Sequence, residues 1–189
     1  MTTASNTQTK DIPLLAFVQK LKEDDDRGSL ATLRGALGGS AERQMRAWRL
    51  LARFGGIPTD DQHHHTAEVV RTVAGLLAMP GLSHSSGGAS FGRACRELLG
   101  EEERKSFVKP EQTGPVARRV QYLLAATRSE VCDRVRQLGR RLDRANAALD
   151  FRRLYSDLVS WSDHTRARWA ADFWGTTEEE GPAAPEGTI

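Results

Sequence analysis

The sequence predicts an all-α protein: two small helical bundles, about eight to ten helices in total, and no sheet. Apolar residues recur at intervals of three and four almost throughout the chain. Residues able to cap a helix stand just before most of these runs, with Gly or Pro just after them. No segment sustains the period-two alternation of a half-buried strand.

Pro13 opens the first helix, with Leu14, Val18 and Leu21 on one face, and Asp24, Asp25, Asp26 and Gly28 close it. Ser29 is positioned to cap SLATLRGAL, in which Leu30, Leu33 and Leu37 align before Gly38 and Gly39. Ser40 caps AERQMRAWRLLARF, expected to turn Met45, Trp48, Leu51 and Ala52 inward and to stop at Gly55, Gly56 and Pro58. Thr59 or Asp60 caps the fourth helix, which carries Val69, Val70, Val73, Leu76 and Leu77 and ends at Met79, Pro80 and Gly81. Residues 82–89, rich in His, Ser and Gly, are expected to form a flexible loop between an N-terminal domain, 10–81, and a basic C-terminal one, 90–175.

Ser90 then caps FGRACRELL, with Phe91, Cys95, Leu98 and Leu99 inward, and Lys109–Pro110 breaks the following turn. Pro115 opens a helix bearing Val116, Val120, Leu123 and Leu124. Ser129 caps the next, whose positive end suits Glu130 and Asp133. There Val131, Val135, Leu138 and Leu142 fall within about 60° on a helical wheel, with Arg136, Arg140 and Arg144 opposite. Asp150 caps FRRLYSDLVSW, with Phe151, Leu154, Tyr155 and Leu158 inward, and Asp163 begins a last helix with Trp169, Ala170 and Phe173 inward. Residues 1–9 and 176–189 lack an apolar face and are expected to be disordered.

At 189 residues the chain can bury a core without disulfides, and its two cysteines are too few for a disulfide framework or a zinc site. No basic segment followed by an apolar run opens it, and no stretch approaches the roughly eighteen apolar residues of a membrane span, so the expected location is the cytoplasm. The net charge of +2 hides an asymmetry: residues 1–88 hold 10 bases and 9 acids, 89–175 hold 17 and 12, and 176–189 hold no bases and 4 acids. Between Gly114 and Gly175 there are twelve arginines and no lysine. Arginine's planar fork grips phosphate oxygens in pairs, and the acids nearby cannot neutralise this surplus. An ordinary solvated surface is the alternative reading.

Catalytic patterns are absent from the sequence. His63, His64 and His65 are adjacent and point in three directions on a helix, whereas helical metal pairs need spacing of three or four. His84 and His164 have no companion ligands. Asp24–Asp26, Asp60–Asp61 and Glu101–Glu103 sit where helix ends favour negative charge. Ser85 and Ser86 lack a nucleophile's strand-to-helix elbow, and GSLATLRGALGGS lacks the Lys-Ser/Thr pair of a phosphate cradle. The residues therefore predict no catalysis, cofactor or metal. Trp48 and Trp169 read as core anchors, and Trp161 and Trp174 as rings that could rest on a partner.

Four segments together resemble the small subunit, of the CasB family, of the type I-E CRISPR Cascade surveillance complex. They are FVQKLKEDDDRGSLATLRGAL, ASFGRACRELL, PVARRVQYLLAAT and LDFRRLYSDLVSWSDHTRARWAADFW, spanning Phe17 to Trp174. In the first, Leu30 and Gly35 stand where the family pattern has arginines, while Arg34 is kept. The resemblance implies a non-catalytic, two-domain helical subunit that touches the backbone subunits coating the guide RNA, the large subunit and a second copy of itself. It implies contact with the guide RNA backbone and the displaced single-stranded non-target DNA. It points to Arg34, Arg93, Arg118, Arg119, Arg140 and Arg141 as nucleic-acid contacts, and charge placement adds Arg128, Arg136, Arg144 and Arg166. Two other classes compete: a sequence-specific helical DNA-binding regulator, and an all-α hydrolase built on an acidic cluster and the histidines.

Overall fold

The computed structural model describes residues 12–38, 40–105 and 114–175. The first half holds α1 (Pro13–Glu23), α2 (Arg27–Gly35), α3 (Ala41–Leu51) with a 3-10 turn at Ala52–Phe54, and α4 (Asp61–Leu77). Strand β1 (Ser83–Ala89) leads into α5 (Phe91–Glu97), α6 (Glu101–Lys105), α7 (Pro115–Leu124) and α8 (Val131–Arg144). Strand β2 (Ala148–Leu149), α9 (Phe151–Val159) and α10 (Asp163–Trp174) complete the described fold. The termini expected to be disordered, 1–9 and 176–189, and the break at Lys109–Pro110 lie outside the described residues.

Local hydrogen bonds account for most helix starts. Ser40 accepts from the Arg43 amide, Ser90 from Arg93, and Asp150 from both Arg152 and Arg153, each contribution typically about 1 kcal/mol. Asp60, not Thr59, caps α4 through the His63 amide. Two caps differ from expectation: Asp26, not Ser29, caps α2 by accepting from the Ser29 amide, so α2 starts earlier, and Ser129 does not cap α8, which follows Glu130 without a side-chain cap. α10 begins at Asp163 as expected, capped by Ser162. Before α8, Ser129 shares a hydrogen bond with the Thr127 hydroxyl, and Glu130 reaches back to the Thr127 amide at 3.0 Å.

Every residue from Val69 to Ala78 of α4 is buried, because α1, α2, α8 and α9 pack around it. α4 and α8 run side by side in the same direction: Thr72 meets Arg136, Leu76 meets Gly139, and the Gly81 amide donates to Asp143 at 2.8 Å. Trp169 anchors the other end of the core, with the rings of Phe91 and Trp161 each 5.1 Å from its own. One apolar cluster runs from Leu14 to Phe173 and includes residues from both sides of 82–89.

The expectation of no sheet is corrected. Residues 83–89, read as loop, form β1, which pairs in parallel with β2, placing Ser83 opposite Ala148 and His84 opposite Leu149. Backbone and capping groups make this pairing: Ser83 N–H donates to Ala147, Asp150 N–H to Ala89, and Gly87 N–H to the Asp150 carboxylate. Since no apolar alternation is involved, periodicity could not reveal it. The inward placement of Met45 and Ala52 is also corrected; both are exposed, Met45 at 54%. The inner face of α3 is instead centred on Gln44, Ala47, Trp48 and Leu51, because Gln44 turns in to accept from buried Arg71 at 2.7 Å. Trp161, read as a ring free to meet a partner, is buried and donates to the Ala126 carbonyl at 3.0 Å.

Candidate nucleic-acid interface

The apolar seam Val131, Val135, Leu138 and Leu142 is buried as its spacing requires, but α8 hides more than that seam. α4 covers a second row: Cys132, Arg136, Gly139 and Asp143. What reaches solvent is the stripe Asp133, Gln137, Arg140 and Arg144, flanked by half-exposed Arg134 and Arg141.

Placing Arg136 on the outer surface is therefore corrected. Arg136 is 9% exposed, and its guanidinium donates to the Thr72 hydroxyl at 3.0 Å and to Asp133 at 2.8 Å, and pairs with Glu68, which also holds Arg71. Burial, and then the charge of Arg136, lower Arg71 below the usual guanidinium value. The sequence-level wheel missed this because a helix covered on two sides buries a wider arc than its apolar residues mark.

At the C-terminal end of α8, residues from three helices gather. The Arg140 guanidinium approaches the Leu37 carbonyl beyond α2 at 3.5 Å, and Arg34 projects half-exposed from the last turn of α2. Near Arg34 and Asp143 lies Lys22 of α1, whose ammonium donates to the carbonyls of Met79 (3.0 Å) and Leu82 (2.7 Å). Burial lowers the Lys22 pKa, Asp143 opposes that effect, and Arg34 adds to it. Lys22 is thus committed to the fold, while Arg34, Arg140, Arg141 and Arg144 are not bound to any carboxylate among the described residues.

A second group surrounds the start of α8. Exposed Arg128 donates to the Val159 carbonyl at 3.2 Å, and Arg166 donates to Ala126 at 2.9 Å and pairs with Asp163 at 2.7 Å. The Arg166 guanidinium lies 5.5 Å from the Trp161 ring centre. His65 completes this corner through the Leu158 carbonyl, and burial holds its pKa below the usual histidine value. On α7, Arg118 is exposed and Arg119 half-exposed, the latter donating to the Pro115 carbonyl at 2.8 Å. Exposed Tyr122 stands one turn beyond Arg118. Arg93 is exposed on α5, and among the described residues no hydrogen bond joins its side chain to either group. The fourteen residues of α8 separate the two groups by about 20 Å.

One set was not singled out from the sequence. Arg43, Arg46 and Arg49 of α3, and Arg53 just beyond it, are all exposed. Their spacing is visible in the sequence, but the near balance of 10 bases and 9 acids over residues 1–88 concealed it.

Other chemistries find little material. Among the described residues no three His, Cys, Asp or Glu side chains gather as a metal site, and no helix is long and apolar enough to cross a membrane. His63 is engaged by the capping Asp60 at 2.7 Å. Cys95 and Cys132 are buried thiols whose pKa values burial raises.

The family of CRISPR-associated protein Cse2 matches residues 29–174. The fold is similar to the crystal structure of CasB from Thermus thermophilus, with 25% identity and a TM-score of 0.63 over 87% of this chain and 97% of that one. A Cse2-family CRISPR-associated protein from the same organism gives 25% identity and a TM-score of 0.62 over the same shares. A chain in the crystal structure of E. coli Cascade bound to a PAM-containing double-stranded DNA target shares the fold at 22% identity, with a TM-score of 0.56 over 87% of this chain and 93% of that one. No curated protein matches the chain.

Proposed function

The chain belongs to the CRISPR-associated Cse2 family, and from that membership we propose that it is the non-catalytic small subunit of a type I-E Cascade complex, holding nucleic acid by its backbone. Its partners in this reading are the subunits that coat the guide RNA, the large subunit and a second copy of itself. Its nucleic-acid ligands are the guide RNA backbone and the displaced single-stranded non-target DNA.

The observation that carries the reading is the pair of arginine groups at the two ends of α8, where Arg34, Arg128, Arg140, Arg141 and Arg144 have no carboxylate partner among the described residues. Arg93, Arg118, Arg119 and Arg166 extend this cationic surface over α5, α7 and α10. Base reading is not required of such a surface. Exchange of a DNA duplex for a guide–target hybrid is close to balanced, so modest contacts to the released strand can tip it.

Reversing Arg119→Glu together with Arg140→Glu tests this. Affinity for single-stranded DNA should fall whatever its sequence, and the log–log salt dependence should flatten by about 0.7 for each phosphate contact removed. Affinity and salt slope equal to those of the unaltered protein would overturn the assignment of this surface.

A further inference from the structure

We infer that α3 and the groove beyond it form a second single-strand site, in which the α3 arginines carry successive phosphates toward an unpaired base seated on Phe17 and Phe54. The inference rests on the nucleic-acid reading above but uses residues outside the α8 groups.

Arg43, Arg46 and Arg49 fall within about 120° of arc on α3, and Arg53 continues the row past the helix end. Ten residues at helical rise span about 15 Å, enough to follow several phosphates of one strand. Only Arg46 has an acidic partner on this row among the described residues, the exposed Glu42 one turn back. Such an exposed pair contributes little and exchanges readily for a phosphate.

The row ends on aromatic rings. The Arg53 guanidinium lies over both rings, 4.5 Å from the Phe17 centre and 4.7 Å from that of Phe54, and the rings are 5.3 Å apart, tilted by 35°, so an incoming base takes the place of Arg53 as its guanidinium turns to a phosphate. These side chains line a groove of about 840 Å³ between α1, α4, α9 and the turn after α3. Lys20 and Arg53 supply its charges, Ile12 and Tyr155 extend its floor, and no carboxylate lines it among the described residues. A cationic track leading to an apolar, ring-lined groove matches the two needs of a single strand, phosphate neutralisation and base stacking. An acidic peptide would match the arginine forks with its carboxylates but would bring no planar base to the rings.

The full-length chain can be titrated with fluorescent oligo-dT and with an abasic strand of equal length at several salt concentrations. Oligo-dT should bind more tightly than the abasic strand, by about five- to 150-fold for one stacked base. Phe54→Leu, which keeps the groove apolar, should erase that difference and leave the salt slope alone. Arg46→Glu with Arg49→Glu should weaken both strands and lower the slope by about 1.4. Equal binding of the two strands, or a slope unmoved by the double reversal, overturns the inference. So does an acidic amphipathic peptide that binds the groove while oligo-dT binding ignores Phe54→Leu. If the double reversal is silent while reversal at Arg119 and Arg140 abolishes binding, the α3 site fails alone. If the unaltered protein binds neither strand, the nucleic-acid reading fails with it.

Discussion

Arg136 spends its charge inside the molecule, bonded to Glu68, Asp133 and Thr72 where α8 meets α4. A buried ion loses hydration, so removing one partner costs more than the pair itself contributes. Arg136→Met should therefore destabilise the protein by about 2 to 3 kcal/mol, below the roughly 3 to 5 of a fully orphaned charge, because Arg71 still holds Glu68. Urea unfolding should show a lower midpoint at unchanged slope, while the salt dependence of nucleic-acid binding stays constant. Arg140 and Arg144, four and eight residues onward, behave oppositely: they are exposed, so their loss should affect binding before stability. Residue type alone could not separate these arginines. The caps Ser40, Ser90 and Asp150 were legible, since a cap acts on amides two or three residues away and needs nothing distant.

Among the elements, the strongest constraint lies where α4–β1 meets α8–β2. Both helices lead into strands that pair in parallel, and Gly81 sits against the end of α8 with its amide on Asp143. A Cβ at Gly81 would stand 1.9 Å from the Asp143 carbonyl oxygen, a backbone atom with no rotamer to yield. Gly81→Ala should thus cost about 1 to 3 kcal/mol by thermal or denaturant melting, the range for overpacking. Gly100→Ala, with nothing within 4 Å of the added carbon, is the control expected to melt like the unaltered protein. Helix positions were readable because apolar periodicity is written locally, as in Leu30, Leu33 and Leu37. β1 was not: SHSSGGA pairs through backbone groups with residues some sixty positions away.

For the molecule as a whole, the apolar cluster continues across residues 82–89, with α4 packed on both α8 and α9. Continuity of this kind couples the two halves energetically, so unfolding should be one cooperative transition. Far-UV circular dichroism of the whole chain can be compared with fluorescence after Trp48→Phe, which leaves Trp161, Trp169 and Trp174 to report on the C-terminal half. Coincident curves are expected; separated ones would mean that the halves melt independently. On the outside, the same packing sets which cations share a face. Arg34 and Arg140 are over a hundred positions apart in sequence, yet α2 and α8 lie against the same central helix, as close contacts at Gly75 and Gly139 show.

By itself the sequence determined the helical class, most helix starts, the apolar seams and the excess of arginine in the C-terminal half, because each is set by neighbours within a turn or two. Only the tertiary structure decided which arginines face solvent, that Arg136 is internal, that Met45 points out, and that β1 finds β2. Those outcomes depend on which helices cover each face, and coverage is a property of packed surfaces that no local spacing records.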